Sequence, residues 1–220
     1  MKKTLILLTS NRSVERKTNE SISTLQRAGA MYLPHMEAPA DIACARNVAL
    51  SIACEVLRTY TERDVVLCVD DDMEFSLETA QTLVDATRKA GVGAGAVYAT
   101  LAGTVAGGPI AGLPGKFECG MGLLALPREP LFQLERESES FEMAGRAFTE
   151  FVWCCAEDGL WVGEDYRLCR RLGGVQLLPV AAGHIKKTTL WPDAITLERV
   201  RDGAWEEGKQ PFIAGKSESP

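Results

Sequence analysis

Three consecutive carboxylates, Asp70-Asp71-Asp72, follow the apolar run Val65–Val69. Like charges this close raise one another's pKa unless something positive sits among them. A divalent cation is the simplest solution. Mg²⁺ or Mn²⁺ takes one or two protein carboxylates and fills its other positions with phosphate oxygens and water. A solvated acidic turn is the plain alternative. Glu164-Asp165 opens a helix-like run, and a helix dipole favours a carboxylate anion in the first turn. Asp165 could therefore be an ionised general base for an acceptor hydroxyl, or only a capping acid. His184, one of two histidines, follows a strand-like run. Imidazole ligates Mn²⁺ beside carboxylate, although a lone histidine is more often structural. Cys119-Gly120-Met121-Gly122 offers bare backbone, which suits close approach of a ligand or an ordinary turn.

The surrounding pattern says what must position these groups. Thr4–Leu8 and Ala30–Leu33 read as strands, with a mostly polar helix-length segment, Ser13–Ala28, between them. Asp41 caps a strong helical pattern running to Tyr60. Asp64–Val69 is apolar after its first residue, as in a parallel strand buried on both faces. Ser76 begins a helix that Gly91 ends. Acids at the carboxyl end of such a central strand sit where α/β sheets bind ligands. Gly91–Gly122 is glycine-rich and suggests short strands and close backbone approaches. Leu123–Leu126 is a further strand, Arg128–Arg136 a short amphipathic helix, and Ser138–Gly163 a loop or hairpin at the site mouth. Glu164–Leu172 is a helix stopped by Gly173-Gly174, and Val175–Val180 the last strand. The alternation argues for an α/β layered fold.

The chain has 220 residues, 46% hydrophobic and 25% charged, which fits one soluble globular domain and excludes disordered or collagen-like classes. Lys and Arg number 24 against 30 acids, a net charge of −6, so indiscriminate nucleic-acid binding through a wholly basic surface is excluded. No run approaches the roughly 18 apolar residues of a transmembrane helix. Met1–Leu8 is too short and lacks the cleavage site of a signal peptide. Seven cysteines, Cys154 and Cys155 adjacent, fit reduced thiols and a cytoplasmic location.

The order of these parts resembles the GT-A glycosyltransferases, family-2-like members in particular, and is similar to small bacterial and phage-type enzymes. Asp70-Asp71-Asp72 resembles the DxD motif, Ala45-Arg46-Asn47 an early-helix ARN, Gly120-Met121-Gly122 the glycine segment on the acceptor side, and Glu164-Asp165 the ED motif. His184 falls where a metal-binding histidine is expected, and Trp161–His184 is the closest-matching stretch. The resemblance implies a Rossmann-like, mostly parallel mixed sheet flanked by helices. It implies a catalytic domain over 1–187, nucleotide-sugar-binding to about 100 and acceptor-binding beyond, with an extension over 188–220. Thr9, Asn11, Arg12, Arg46, Asp70, Asp71 and Gly120 would face the nucleotide sugar, a UDP-sugar by resemblance. Asp70, Asp72 and His184 would bind the Mn²⁺ or Mg²⁺. Asp165, with Glu164 beside it, would act as base and give inversion. The triplet DDD leaves open which two acids bind, and retaining enzymes can share an acid here.

The acceptor is not written in the motifs. Glycan, protein and hydroxymethylated DNA bases are all compatible. Arg167, Arg170, Arg171, Lys186 and Lys187 cluster near the expected base. They suggest either a solvated helix face with diphosphate neutralisation or a phosphate-rich acceptor held by its backbone. Trp153, Trp161 and Trp191 could stack on sugars or bases, or pack structurally. Three rivals compete. A sugar nucleotidyltransferase usually needs a glycine-rich phosphate loop, absent from Thr9–Ser13. An aspartyl phosphatase motif fails at Glu74. The third is a non-catalytic binding protein of the same fold.

Overall fold

In this computed structural model the described residues are 1–9, 14–33, 41–100, 105–157, 160–185, 189–190, 197–198 and 201. In chain order the elements begin β1 (Thr4–Thr9), α1 (Arg16–Arg27), β2 (Met31–Leu33), α2 (Ile42–Thr59), β3 (Val65–Asp70), β4 (Met73–Glu74) and α3 (Leu77–Ala90). Next are β5 (Ala94–Val97), β6 (Gly107–Pro109), β7 (Phe117–Cys119), β8 (Leu123–Pro127) and α4 (Arg128–Arg136). There follow β9 (Ser140–Met143), β10 (Arg146–Thr149), β11 (Cys155–Glu157), β12 (Leu160–Val162), α5 (Glu164–Arg171), β13 (Gln176–Ala181), β14 (Gly183–Ile185) and β15 (Thr189–Leu190).

The main sheet has the order β13-β5-β8-β3-β1-β2. β1 lies parallel to β2 and β3, and β13 parallel to β5. β8 alone runs antiparallel, to both β3 and β5. Side chains alternate across the sheet, since successive residues of a strand face opposite ways. Leu5, Leu7, Val66 and Cys68 meet Leu50, Ala53 and Leu57 of α2, Leu131 of α4 and Leu168 of α5. Ile6, Leu8, Val65, Leu67 and Val69 meet Ile22 and Leu25 of α1 and Leu83 and Val84 of α3. Both faces are thus covered, which explains why β1 and β3 are apolar without alternation.

The helix boundaries follow from local chemistry. The Asp41 carboxylate accepts from the Cys44 amide at 2.8 Å, and the Ser76 hydroxyl from the Thr79 amide at 3.0 Å. These satisfy amides that a helix start otherwise leaves unpaired. Gly91 ends α3 with φ at 67°. α1 has no side-chain cap and is instead fastened to the acidic turn. The Glu15 amide donates to the Asp71 carbonyl at 2.8 Å, and the Thr18 hydroxyl to the same oxygen at 3.0 Å. The expected loop or hairpin at Ser138–Gly163 is two hairpins, β9–β10 and β11–β12. β15 pairs with β14, so sheet pairing continues past residue 187. No helix among the described residues is long and apolar enough to cross a membrane.

Candidate active site

The site forms at the carboxyl ends of β1, β3 and β5, and its first contact is set by strand register. Parallel pairing puts Thr9 opposite Asp70, and the Thr9 hydroxyl donates to Asp70 Oδ1 at 2.6 Å. Arg46 reaches the same carboxylate from the buried side of α2. Its Nη2 lies 3.0 Å from Asp70 Oδ2 and 3.3 Å from Oδ1, while Nη1 donates to Glu164 Oε1. Arg46 is only 5% exposed. Burial works against its charge, but Asp70, Asp165 and Glu164 together outweigh it and raise the pKa above the ordinary arginine value. Its buried Nε has no partner among the described residues. Cys154 completes the chain by donating its thiol to Glu164 Oε2 at 3.2 Å. A continuous series therefore runs Thr9, Asp70, Arg46, Glu164, Cys154.

The two acids of the ED pair are used differently. Both Glu164 oxygens are engaged, by Arg46 and Cys154. Asp165 accepts the Tyr166 amide on Oδ1 at 2.9 Å, and among the described residues its Oδ2 has no hydrogen-bond donor. Burial pushes the Asp165 carboxyl up to about 6, with Glu164 and Asp70 adding to the rise and Arg46 opposing it. The dipole of α5 by itself favours the anion here. Desolvation wins, so the acid titrates just below neutrality, where a general base serves best.

Asp72 and His184 come together through the pairing of β4 with β14, which sets His184 opposite Met73. Asp72 is buried, and its Oδ2 lies 3.4 Å from His184 Nε2. His184 Nδ1 sits 2.8 Å from the Ala99 carbonyl. A carbonyl can only accept, so Nδ1–H donates there and Nε2 faces the Asp72 carboxylate. The donor set, one imidazole and one carboxylate, fits Mn²⁺ or Mg²⁺ that keeps further positions for phosphate and water. No group of three or more ligating side chains converges among the described residues. Asp70, the other expected ligand, is held by Arg46 and Thr9.

The remaining expected residues take other places. Asp71 is buried, and its carbonyl anchors α1. Gly120 and Gly122 leave their bare backbone to a side chain of the protein itself: a Cβ on Gly120 would lie 1.9 Å from the Tyr98 hydroxyl, and one on Gly122 2.8 Å from it. Tyr98 is a site residue beyond the sequence motifs; its one local signal is an aromatic directly after a buried strand. Asn47 clamps the 150s loop, donating to the Val152 carbonyl at 2.8 Å and accepting its amide at 2.9 Å.

The expected basic cluster is largely occupied within the fold. Arg170 pairs with Glu118 through Nε at 2.5 Å. Arg171 donates to the carbonyls of Glu150 and Phe151. Arg167 lies over the Trp153 ring at 4.1 Å and donates to Cys155 Sγ at 2.9 Å. Asn11, Arg12, Lys186, Lys187 and Trp191 lie outside the described residues, as does the side chain of Trp161.

No protein-family model matches this chain, and no curated protein matches it. Among solved structures it is similar to the crystal structure of A197 from STIV, with 17% identity, 84% of this chain and 86% of that one covered, and a TM-score of 0.56. At that identity the likeness speaks for the fold alone: this is a mixed α/β, Rossmann-like single domain.

Proposed function

We propose that this chain is a metal-dependent glycosyltransferase that moves a sugar from a nucleotide-sugar donor, of UDP type, to an acceptor hydroxyl with inversion. The observation that carries this reading is the division of labour at one sheet edge. Asp165 keeps an oxygen without a donor and a carboxyl raised to about 6, and Tyr98, which approaches Gly120 beside it, packs on His184 of a histidine–carboxylate pair with the donor set of a divalent cation. The overall fold and the ordered motifs Asp70–Asp72, Gly120–Gly122, Glu164-Asp165 and His184 support it.

Asp72 and His184 would hold Mn²⁺ or Mg²⁺, which neutralises the charge developing on a departing diphosphate. Thr9 and Arg46 fix the Asp70 carboxylate, which would face the nucleotide. Asp165 takes the proton of the acceptor hydroxyl as its oxygen attacks the anomeric carbon. Glu164, held by Arg46 and Cys154, is a positioning residue.

The test is a thermal-shift panel of nucleotides and nucleotide sugars with and without Mn²⁺, followed by assay of nucleoside diphosphate release. A ligand that binds only the folded state raises apparent stability. The expected result is a shift that needs both UDP and Mn²⁺ and disappears in Asp72→Ala and His184→Ala. Asp165→Asn should keep the shift and lose turnover. Pyrophosphate release from a nucleoside triphosphate would instead indicate a nucleotidyltransferase. No shift with any nucleotide would leave a non-catalytic binding protein.

A further inference from the structure

Tyr98 follows β5 at the carboxyl edge of the sheet, only 6% exposed. Its ring meets His184 edge-on, with centroids 5.7 Å apart. Its hydroxyl accepts the Gly122 amide at 3.1 Å. Among the described residues its proton has no acceptor, so the hydroxyl still has a hydrogen bond to give. The same bare spot of backbone at Gly120 locates its neighbour. A Cβ built there would be 1.9 Å from the Tyr98 hydroxyl and 3.3 Å from Asp165 Oδ2, the oxygen that lacks a donor. The Tyr98 hydroxyl and Asp165 Oδ2 thus approach the same stretch of Gly120 backbone, a donor beside an acceptor. Burial, followed by Asp70 and Asp165, raises the phenol's pKa well above its ordinary value, so it stays protonated and does not compete as base.

We infer that Tyr98 orients the acceptor oxygen for Asp165. This rests on the glycosyl-transfer reading above. A hydroxyl oxygen has one proton and two lone pairs. Asp165 Oδ2 receives the proton, one lone pair forms the bond to the anomeric carbon, and the second accepts the Tyr98 hydrogen bond. The anomeric carbon–oxygen bond breaks, and its electron pair leaves with the nucleoside diphosphate. Tyr98 is unchanged over the cycle. Because its ring also packs on His184, the residue that aims the acceptor is braced by the residue that faces Asp72.

The experiment compares wild type with Tyr98→Phe, which keeps the ring and removes the hydroxyl. The probe is release of nucleoside diphosphate from UDP-sugars with Mn²⁺, water serving as acceptor hydroxyl. The expected result is a fall of about ten-fold in kcat, the scale of one lost hydrogen bond to a reacting oxygen, with the donor KM, the UDP/Mn²⁺ thermal shift and the acidic limb near pH 6 unchanged. Tyr98→Leu, which also removes the packing on His184, should in addition raise the donor KM. Wild-type kcat in Tyr98→Phe overturns the inference while leaving the transferase reading intact. A parallel loss of melting temperature and donor affinity in Tyr98→Phe also overturns it, because that pattern belongs to packing alone. No turnover of any UDP-sugar by the folded wild type removes the transferase reading, and this inference with it.

Discussion

One guanidinium, that of Arg46, joins Glu164 at the start of α5 to Asp70 at the end of β3. The two acids lie far apart in sequence, yet their geometry depends on a single buried cation. Removing one partner from a buried charge network strands the others in low dielectric.

Arg46→Gln should therefore lower stability by about 3–5 kcal/mol, read as a shift in the urea midpoint at pH 7. Arg46 also holds the Asp165 carboxyl down, so the acidic limb of turnover should move above pH 6. Arg46→Lys should recover only part of the loss, since an ammonium lacks the planar fork that serves two carboxylates. Stability within error of wild type in Arg46→Gln would contradict the buried network.

The raised carboxyl of Asp165 has a sign that can be checked. Its pKa in the fold, about 6, exceeds the ordinary 3.8. The folded state therefore favours the protonated form, a contribution fully present below about pH 4 and lost as pH rises through 6. At pH 7 the ionised group costs about 3 kcal/mol. Asp165→Asn should melt higher than wild type at pH 7–8, with the gap closing toward pH 4, while turnover is abolished. Melting curves across that range decide it; a constant gap would mean the group is not shifted.

Gly120→Ala drives a methyl against the Tyr98 hydroxyl. Overpacking of this kind costs about 1–3 kcal/mol. Combining it with Tyr98→Phe removes the closest atom, although the ring carbon behind it stays 3.0 Å from the new Cβ. The double variant should be more stable than the sum of the two single losses. A double-mutant cycle by urea denaturation measures the difference, and strict additivity would place the two residues out of contact.

Asn47→Ala removes both bonds to Val152 and leaves a buried amide and carbonyl unpaired. A loss of about 2–4 kcal/mol is expected, with faster hydrogen exchange at the Val152 amide. Asn47→Asp should fare little better, because it can accept the amide but presents an oxygen to the carbonyl. Unchanged exchange in Asn47→Ala would show that the loop is held by other contacts.

Much of the α/β order was legible in the sequence because it is written in local patterns. The run of α2 from its Asp41 cap, the Ser76 and Gly91 boundaries of α3, and the two-sided burial of Val65–Val69 all come from short-range chemistry. The antiparallel direction of β8 was not legible, since Leu123–Leu126 is equally apolar either way. Among the site residues, Asp72 and His184 meet as their types suggested. Arg46 acts on both acidic motifs at once, which no spacing encodes. The role of Tyr98 is not encoded locally, because its partners, Gly122 and His184, are brought to it by the sheet and are distant in sequence. The arginines of α5 have the sequence pattern of a charged face, but Glu118, Trp153 and the 150s carbonyls, all distant in sequence, occupy them.

The lone antiparallel strand also has a bearing on how the chain reaches its native state. β8 is the wedge between β3 and β5, so until residues 123–127 arrive the β1–β2–β3 layer and the β5 strand share no strand between them, only the cover of α3. During vectorial synthesis the first half would wait with one long apolar edge of β3 exposed, the kind of edge that recruits other chains. Sheet closure then requires contacts across some sixty residues (Val65 with Pro127), and such non-local pairings close slowly. Truncation before Leu123 should thus yield an aggregating fragment, whereas a break in the exposed turn around Leu113 leaves both edges of the wedge in place.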